Sequence, residues 1–500
     1  MKDKATMKDI GLLLAHAESG AAILAEGLDW ETAVPASAPK QKPVAADDYL
    51  RSDGGDPGNL REQRWGLVVP RGPEGKRLRE IIAPLTRLRE EQQGSKAIVY
   101  EVEPGMTTEQ TWDWWADVYK NDTHDGKRIT ERERPRYLLA LGGPEQISWD
   151  FQTTAGNDLF LGRLAFQADG DYEAYVEKVL RHEGTRPTTA ARALFHTVRD
   201  GTKATTLGYD DLMRPALEAA REGADDGGFA TQNILVLGQE SQGVSLTSFL
   251  EAAAAPTPTM LFTISHGSGA PRQGWKSVEE QQRFQGAMQF TAGQQLSYEG
   301  VEKGSFLPGG VWFFVACLSA GTPSTSEYYH WLKRLQEMGS YRRSIDNVLD
   351  SLPKRGEVPF VARLPQAALA NPDGPISVVG HVDLAWTFSF CEERMDARGE
   401  LEIVSRSSRF DDVFRQMVAG TRVGASCNSL NTVFNNANGE LTSIFNQAEK
   451  YAVKGVAPAE NPAKKRRMAK LWLTRQDLAA YVTLGDPAAH LNVIDASPRV

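Results

Sequence analysis

The sequence predicts an α/β protein with a largely parallel sheet, in which a smaller α/β unit precedes a larger one. Short apolar runs bounded by Gly and Pro recur along the chain and read as buried strands. Segments with helical spacing separate them. At 500 residues, 41% of them hydrophobic and 24% charged, the chain is too long for one ordinary core, so two or three packed units are expected.

The elements follow in order. The start, MKDKATMKDIGLLLAHAESG, reads as an amphipathic helix rather than a leader peptide. Pro35, Pro39, Pro43 and the run SDGGDPGN (52–59) read as linker, so residues 1–60 form an N-terminal helix and linker. RWGLVVP (64–70), KAIVYEVEPG (96–105) and RYLLALGGP (136–144) are strands, with helices at 74–93 and 107–120 between them. NDLFLGRLAF (157–166) and the helix DYEAYVEKVLRHE (171–183) complete a unit of about 61–186. The alternation restarts with ARALFHTVR (191–199), a helix over 209–222, NILVLG (233–238), a helix over 244–255, TMLFTISHG (259–267) and GGVWFFVACLS (309–319). A helix around 325–351 and GPISVVGHVDLAW (374–386) close a second unit, 187–395. Residues 396–500 are a mixed extension that completes this unit and ends in a helix over 471–482.

Composition excludes several classes. A net charge of -9 argues against nucleic acid as the main partner. No run of about 20 apolar residues suggests a membrane span. The three cysteines, Cys317, Cys391 and Cys427, form no disulfide framework and no CxxC pair, so neither a structural zinc nor any cofactor is expected. LVLGQESQG lacks the lysine of a phosphate loop. A reducing cytoplasm is the expected location, and it suits a free thiol.

In parallel α/β sheets, functional groups gather at the carboxyl ends of strands. Two apolar strands here end in reactive residues: MLFTIS runs into His266-Gly267, and VWFFV into Ala316-Cys317. Adjacent parallel strands would set both on one edge, which is what thiol catalysis needs: a thiolate nucleophile with an imidazole to carry its proton. Gly267 allows close substrate approach, and its N–H and that of Cys317 are the natural oxyanion donors. A cysteine or histidine at a strand end is by itself an ordinary buried residue. The matched pairing favours chemistry.

These strands resemble those of the clan that holds caspases, legumain, separase and gingipains, and most of all the gingipain-like peptidases. RYLLALGGP, NDLFLGRLAF with its following helix, TISHGSGAPRQGW, FVACLSAG, SVVGHVDLAW and TLGDPAAHL are each similar to a segment of that family, over about residues 60–495. The separation of His266 from Cys317, 51 residues, is similar to that in caspases. It is longer than the gingipain-like pattern, with the excess in the polar stretch 272–305.

The resemblance implies a caspase-like sandwich and a cysteine endopeptidase working through a Cys-His dyad and a thioester. His266 would be the general acid/base, Cys317 the nucleophile, and the Gly267 and Cys317 amides the oxyanion hole. Trp386 would wall the substrate pocket, with Asp383 and His381 beside it. Thr206 falls where Arg-specific gingipains carry an acidic residue, which leaves the P1 residue (whose carbonyl is attacked) open between a basic residue met by a carboxylate and an acidic one met by Arg272 or Arg199. The partners implied are a protein or peptide substrate and an activating protease or regulator, with neither nucleic acid nor membrane. The resemblance further implies a regulated cytoplasmic protease of a bacterial proteolytic or defence cascade, switched through 30–60, 272–305 or 455–468. The alternatives are a catalytically inactive scaffold or peptide-binding protein of the same fold, and an acyltransferase or other thiol hydrolase.

Overall fold

Ten of the apolar runs line up side by side in one sheet in the computed structural model, which describes residues 9–29, 32, 55–120, 123–124, 127–238, 244–290, 293–339, 342–353, 357–395, 401–453 and 461–494. In chain order they are β1 (Trp65–Pro70), β2 (Ile98–Val102), β3 (Tyr137–Leu141), β4 (Phe160–Leu164), β5 (Arg192–Thr197), β6 (Ile234–Leu237), β7 (Thr259–Ile264), β8 (Val311–Val315), β9 (Ser377–His381) and β10 (Tyr481–Gly485). The sheet order is β6-β5-β7-β8-β9-β10-β4-β3-β1-β2. Every neighbouring pair is parallel except β9 with β10. The five strands β5–β9 therefore point one way and the other five the opposite way. Their carboxyl ends lie at opposite rims, and the loops after β5, β7, β8 and β9 gather around His266 and Cys317.

Central strands covered on both faces carry apolar side chains in both directions. In β8 the ring of Trp312 stacks on that of Phe314, 4.8 Å between centroids, on one face. On the other, Phe313 meets Phe410 and Phe414 from the helix Ser408–Val418. Elements predicted as two units thus share one sheet, and β10, from the end of the chain, is the seam. At that seam β4 passes so close to β10 that a Cβ on Gly162 would overlap the carbonyl oxygen of Gly485. The next residue, Arg163, is fully buried. It donates from Nε to Gln152 Oε1 (2.6 Å) and from its other nitrogens to the carbonyls of Gly142 (2.7 Å) and Ile147 (2.6 Å). Arg89 crosses the same seam, donating to Asp486 (2.7 Å) just past β10 and to Glu183 (2.6 Å).

Several expectations need correction. Residues 9–29 are not a helix: Asp9–Ile10 pairs antiparallel with Leu28–Asp29, and Leu14–His16 is a strand of a separate four-stranded sheet. The run Gly11-Leu12-Leu13-Leu14 is buried on every side, so it has no solvent face for an amphipathic helix to present. The helix expected over 74–93 is two, Pro73–Ile81 and Ala83–Gln93, broken before Pro84, which cannot donate a helical hydrogen bond. The last helix stops at Ala479 and Tyr481 opens β10, where an aromatic and β-branched run suits a strand. The mixed extension is largely helical, with Ser408–Val418, Asn428–Val453 and Pro462–Ala479. Among the described residues no helix is long and apolar enough to cross a membrane.

Candidate active site

The register of β7 and β8 sets the site. Ile264 pairs with Val315, so His266 and Cys317, each two residues further on, leave the same edge side by side. Both are fully buried. Cys317 is followed by Leu318 in the left-handed region, φ 59°, a turn that costs a branched residue energy and persists only where surroundings enforce it. Here the Leu318 N–H donates to Asp383 O (2.9 Å), that of Ala320 to His381 O (2.9 Å), and that of His381 to Ser319 Oγ (2.8 Å). The segment after β9 thereby fixes the turn that carries the thiol. The Ala385 N–H points at Cys317 Sγ, 3.1 Å away.

His266 is oriented by residues at the end of β5. Its Nε2 lies 2.8 Å from Thr202 Oγ1 and 3.2 Å from Asp200 Oδ2. The hydroxyls of Thr202 and Thr205 both donate to Asp200 Oδ1, at 2.8 and 2.6 Å. Thr202 Oγ1, having given its hydrogen away, faces Nε2 with a lone pair. This assigns the ring proton to Nε2. Nδ1 is buried with no hydrogen-bond partner among the described residues and is left as the basic nitrogen. Burial alone would raise the Asp200 carboxyl. The hydrogen bond and charge of His266, with the Thr205 hydroxyl and Thr202 N–H, outweigh it and hold Asp200 well below the usual carboxylate range.

Gly267 approaches the backbone of Cys317 so closely that a Cβ would overlap the Cys317 carbonyl oxygen. The N–H groups of Gly267 and Cys317 converge on one acceptor, the carbonyl oxygen of Leu13, at 2.9 and 3.1 Å. That is the range of donors that cradle an oxyanion. The residues around Leu13 extend the same seat. Its own N–H donates to Ala385 O (3.2 Å), Leu12 bridges antiparallel to Trp386, and Leu14–His16 runs parallel to Gly267–Gly269. Burial pushes the covered Cys317 thiol well above its usual value, and the Asp477 and Asp383 charges push the same way.

The other residues singled out by sequence are placed as follows. Trp386 is fully buried against Tyr328 and Trp331 (ring centroids 5.8 and 5.0 Å), its backbone beside Leu12. Asp383 accepts from the Ser326 hydroxyl (2.7 Å) and the N–H groups of Glu327 (2.8 Å) and Leu384 (2.7 Å). His381 has both ring nitrogens on backbone carbonyls, those of Asp383 (2.8 Å) and Asp477 (3.1 Å). These two shape the loops under the thiol and present no open polar edge to a substrate. Thr206 is exposed and donates to Thr202 O (2.7 Å); one position earlier, Thr205 does the facing inward. Of the two arginines considered for an acidic P1, Arg199 lies over the Tyr209 ring at 3.9 Å and Arg272 bonds Glu18 through its backbone N–H.

Sequence reasoning missed the hold of Asp200 on His266. The signal was present: Thr197, at the end of β5, pairs with Ile264, so the residues just beyond it reach the same rim. It also missed Asp477, whose carboxylate accepts the N–H groups of Trp386 and Ser389, both at 2.8 Å. Asp477 comes from a distant helix that no local pattern connects to the site. Among the described residues no group of three or more His, Cys, Asp or Glu is arranged to hold a metal ion.

No family model and no curated protein matches the chain. Solved structures that resemble it include the Arg-specific cysteine proteinase gingipain R, at 13% identity and TM-score 0.47, over 86% of this chain and 78% of that one. The complex of Porphyromonas gingivalis RgpB pro- and mature domains is similar at 14% identity and TM-score 0.45, over 86% and 80%. A structure described as a protease gives 11% and 0.48, over 88% and 81%. At these identities and scores the likeness is one of architecture and carries nothing about what this chain does.

Proposed function

We propose that the chain is a cysteine endopeptidase with Cys317 as nucleophile and His266 as general acid/base, oriented by Asp200. The observation that supports this most is the pair of amides, Gly267 and Cys317, bonded to a single peptide carbonyl directly at the cysteine. A carbonyl so held is polarised for attack, and charge building on its oxygen meets donors already in place.

The steps follow from the residues. The Cys317 S–H proton passes to His266 Nδ1 while sulfur bonds to the substrate carbonyl carbon. The C–N bond breaks as Nδ1–H returns that proton to the leaving amine. Water then adds to the thioester, giving one proton to Nδ1, and the C–S bond breaks with that proton returned to sulfur. Asp200 holds Nε2–H throughout and balances the imidazolium. An electrically saturated Asp383 and Asp477 beneath the turn keep the thiol positioned without taking part.

A peptide-binding protein without catalysis is the second reading, favoured by the covered thiol and the peptide segment already in the cleft. Incubation with a peptide library, followed by mass spectrometry, separates them. The peptidase reading expects cleavage that disappears in Cys317→Ala. Binding without cleavage, both by the unaltered chain and by a chain whose Leu13 segment has been displaced from the amides, contradicts it. Regulation is part of the proposal, since the unaltered chain covers its own thiol. Of the switch segments considered from sequence, 33–54 and 454–460 lie outside the described residues. The stretch 272–305 instead supplies Met288–Gln289 and Gln295–Leu296, the strands that complete the small sheet receiving Leu14–His16.

A further inference from the structure

The segment Ile10–His16 lies in the cleft and is held there through its backbone. Leu13 O sits on both oxyanion donors, Leu13 N–H on Ala385 O, Leu12 opposite Trp386, and Leu14–His16 along Gly267–Gly269. This register sets Leu13 at P1 and the Leu13–Leu14 bond where a scissile bond would lie. We infer that the cleft is built for leucine at P1, and that the chain's own Ile10–His16 occupies it as a substrate does. This rests on the peptidase reading.

Two observations carry the choice of leucine, and a third carries the fit of the segment. The side chain of Leu13 is fully buried within the apolar core cluster, as are Leu12 and Leu14 on either side. Burial without a partner excludes a charged side chain from such a place. Three carboxylates described around the site are each committed elsewhere. Asp200 holds His266, Asp383 takes Ser326, Glu327 and Leu384, and Asp477 takes Trp386 and Ser389. A basic P1 residue would therefore find these carboxylates already taken, and a charge of either sign would meet the apolar surroundings of Leu13. Third, the segment is fitted at a distance from the scissile bond: a Cβ on Gly11 would come within 2.9 Å of the Ala204 backbone and 3.1 Å of Thr387 Cγ2. The cleft accordingly selects glycine two residues before P1, and the chain supplies it there.

The occupied thiol is shielded, and its raised proton affinity matches a resting state. Activity in trans then requires the segment to leave. Gly11→Asp forces this, because the added side chain meets the Ala204 backbone. Leu13→Asp does so independently by placing a charge where leucine is buried.

The test uses the full chain, unaltered and with each substitution, and the quenched peptides Ile-Gly-Leu-Xaa-Leu-Ala-His with Xaa as leucine, alanine, arginine, lysine, asparagine or aspartate. Cleavage sites are read by mass spectrometry. The expected result is cutting between Xaa and the following leucine, at least about tenfold faster for leucine than for any charged residue. Either substitution should raise the rate at least about tenfold, and replacing the peptide's glycine by valine should lower it by a similar factor. Cutting after arginine or aspartate with the leucine peptide untouched overturns this inference and leaves the peptidase reading standing. Equal rates for the unaltered and both substituted chains overturn the occupancy. If none of the three chains cuts any peptide, the peptidase reading falls and takes the inference with it.

Discussion

On the peptidase proposal, two residues beside Cys317 and His266 each make a prediction. Asp200 fixes the His266 tautomer through Nε2. Asp200→Asn offers an amide that can present N–H to Nε2 and turn the proton to Nδ1. We expect kcat to fall by about 10²–10⁴ with KM little changed; a KM effect alone would mean that Asp200 touches substrate instead. Gly267→Ala places a methyl group against the Cys317 carbonyl and opens the pair of donors. About 10²–10³ in kcat should be lost, read by steady-state kinetics alongside circular dichroism to verify the fold.

At the scale of elements, strands were the most legible part of the sequence. VWFFV and MLFTI show their burial directly, and the shared rim for His266 and Cys317 follows from treating them as parallel neighbours. What stayed hidden was long-range. The run GLLLA looks like half of a helix until the cleft that surrounds it is known, because a segment buried on all faces has no periodicity. Tyr481 and Val482 read as the end of the preceding helix because nothing local marks the switch at Ala480. Asp477 reaches the site only through the packing of its helix. The seam strand β10 is where this packing is tightest. Gly162→Ala forces a Cβ against the Gly485 carbonyl, and we expect a loss of about 1–3 kcal/mol in urea denaturation, with β4 and β10 pushed apart.

The whole molecule is held across that seam by a buried charge network. Arg89 pairs with Asp486 and Glu183, all with side chains at most 7% exposed. Burial alone would raise the Glu183 carboxyl, but the charge and hydrogen bonds of Arg89 outweigh it and hold it down at about 2. An unfolded glutamate titrates near 4.3. The folded value is the lower one, so the contribution is complete above about pH 4.3 and is lost as pH falls toward about 2. Its size is on the order of 3 kcal/mol. Arg89→Met leaves two carboxylates buried without their cation and should cost about 3–5 kcal/mol at pH 7. In that variant the drop in thermal stability between about pH 4.3 and 2 should shrink; an unchanged acid limb would contradict this account of the network.

The central claim is that Cys317 and His266 react as a pair. The most direct measurement is kcat/KM for peptide hydrolysis by the Gly11→Asp chain, alone and with Cys317→Ala or His266→Ala added. Hydrolysis by the first and its loss in both others is the predicted result. Hydrolysis that survives Cys317→Ala, or a Gly11→Asp chain that hydrolyses nothing, would contradict it.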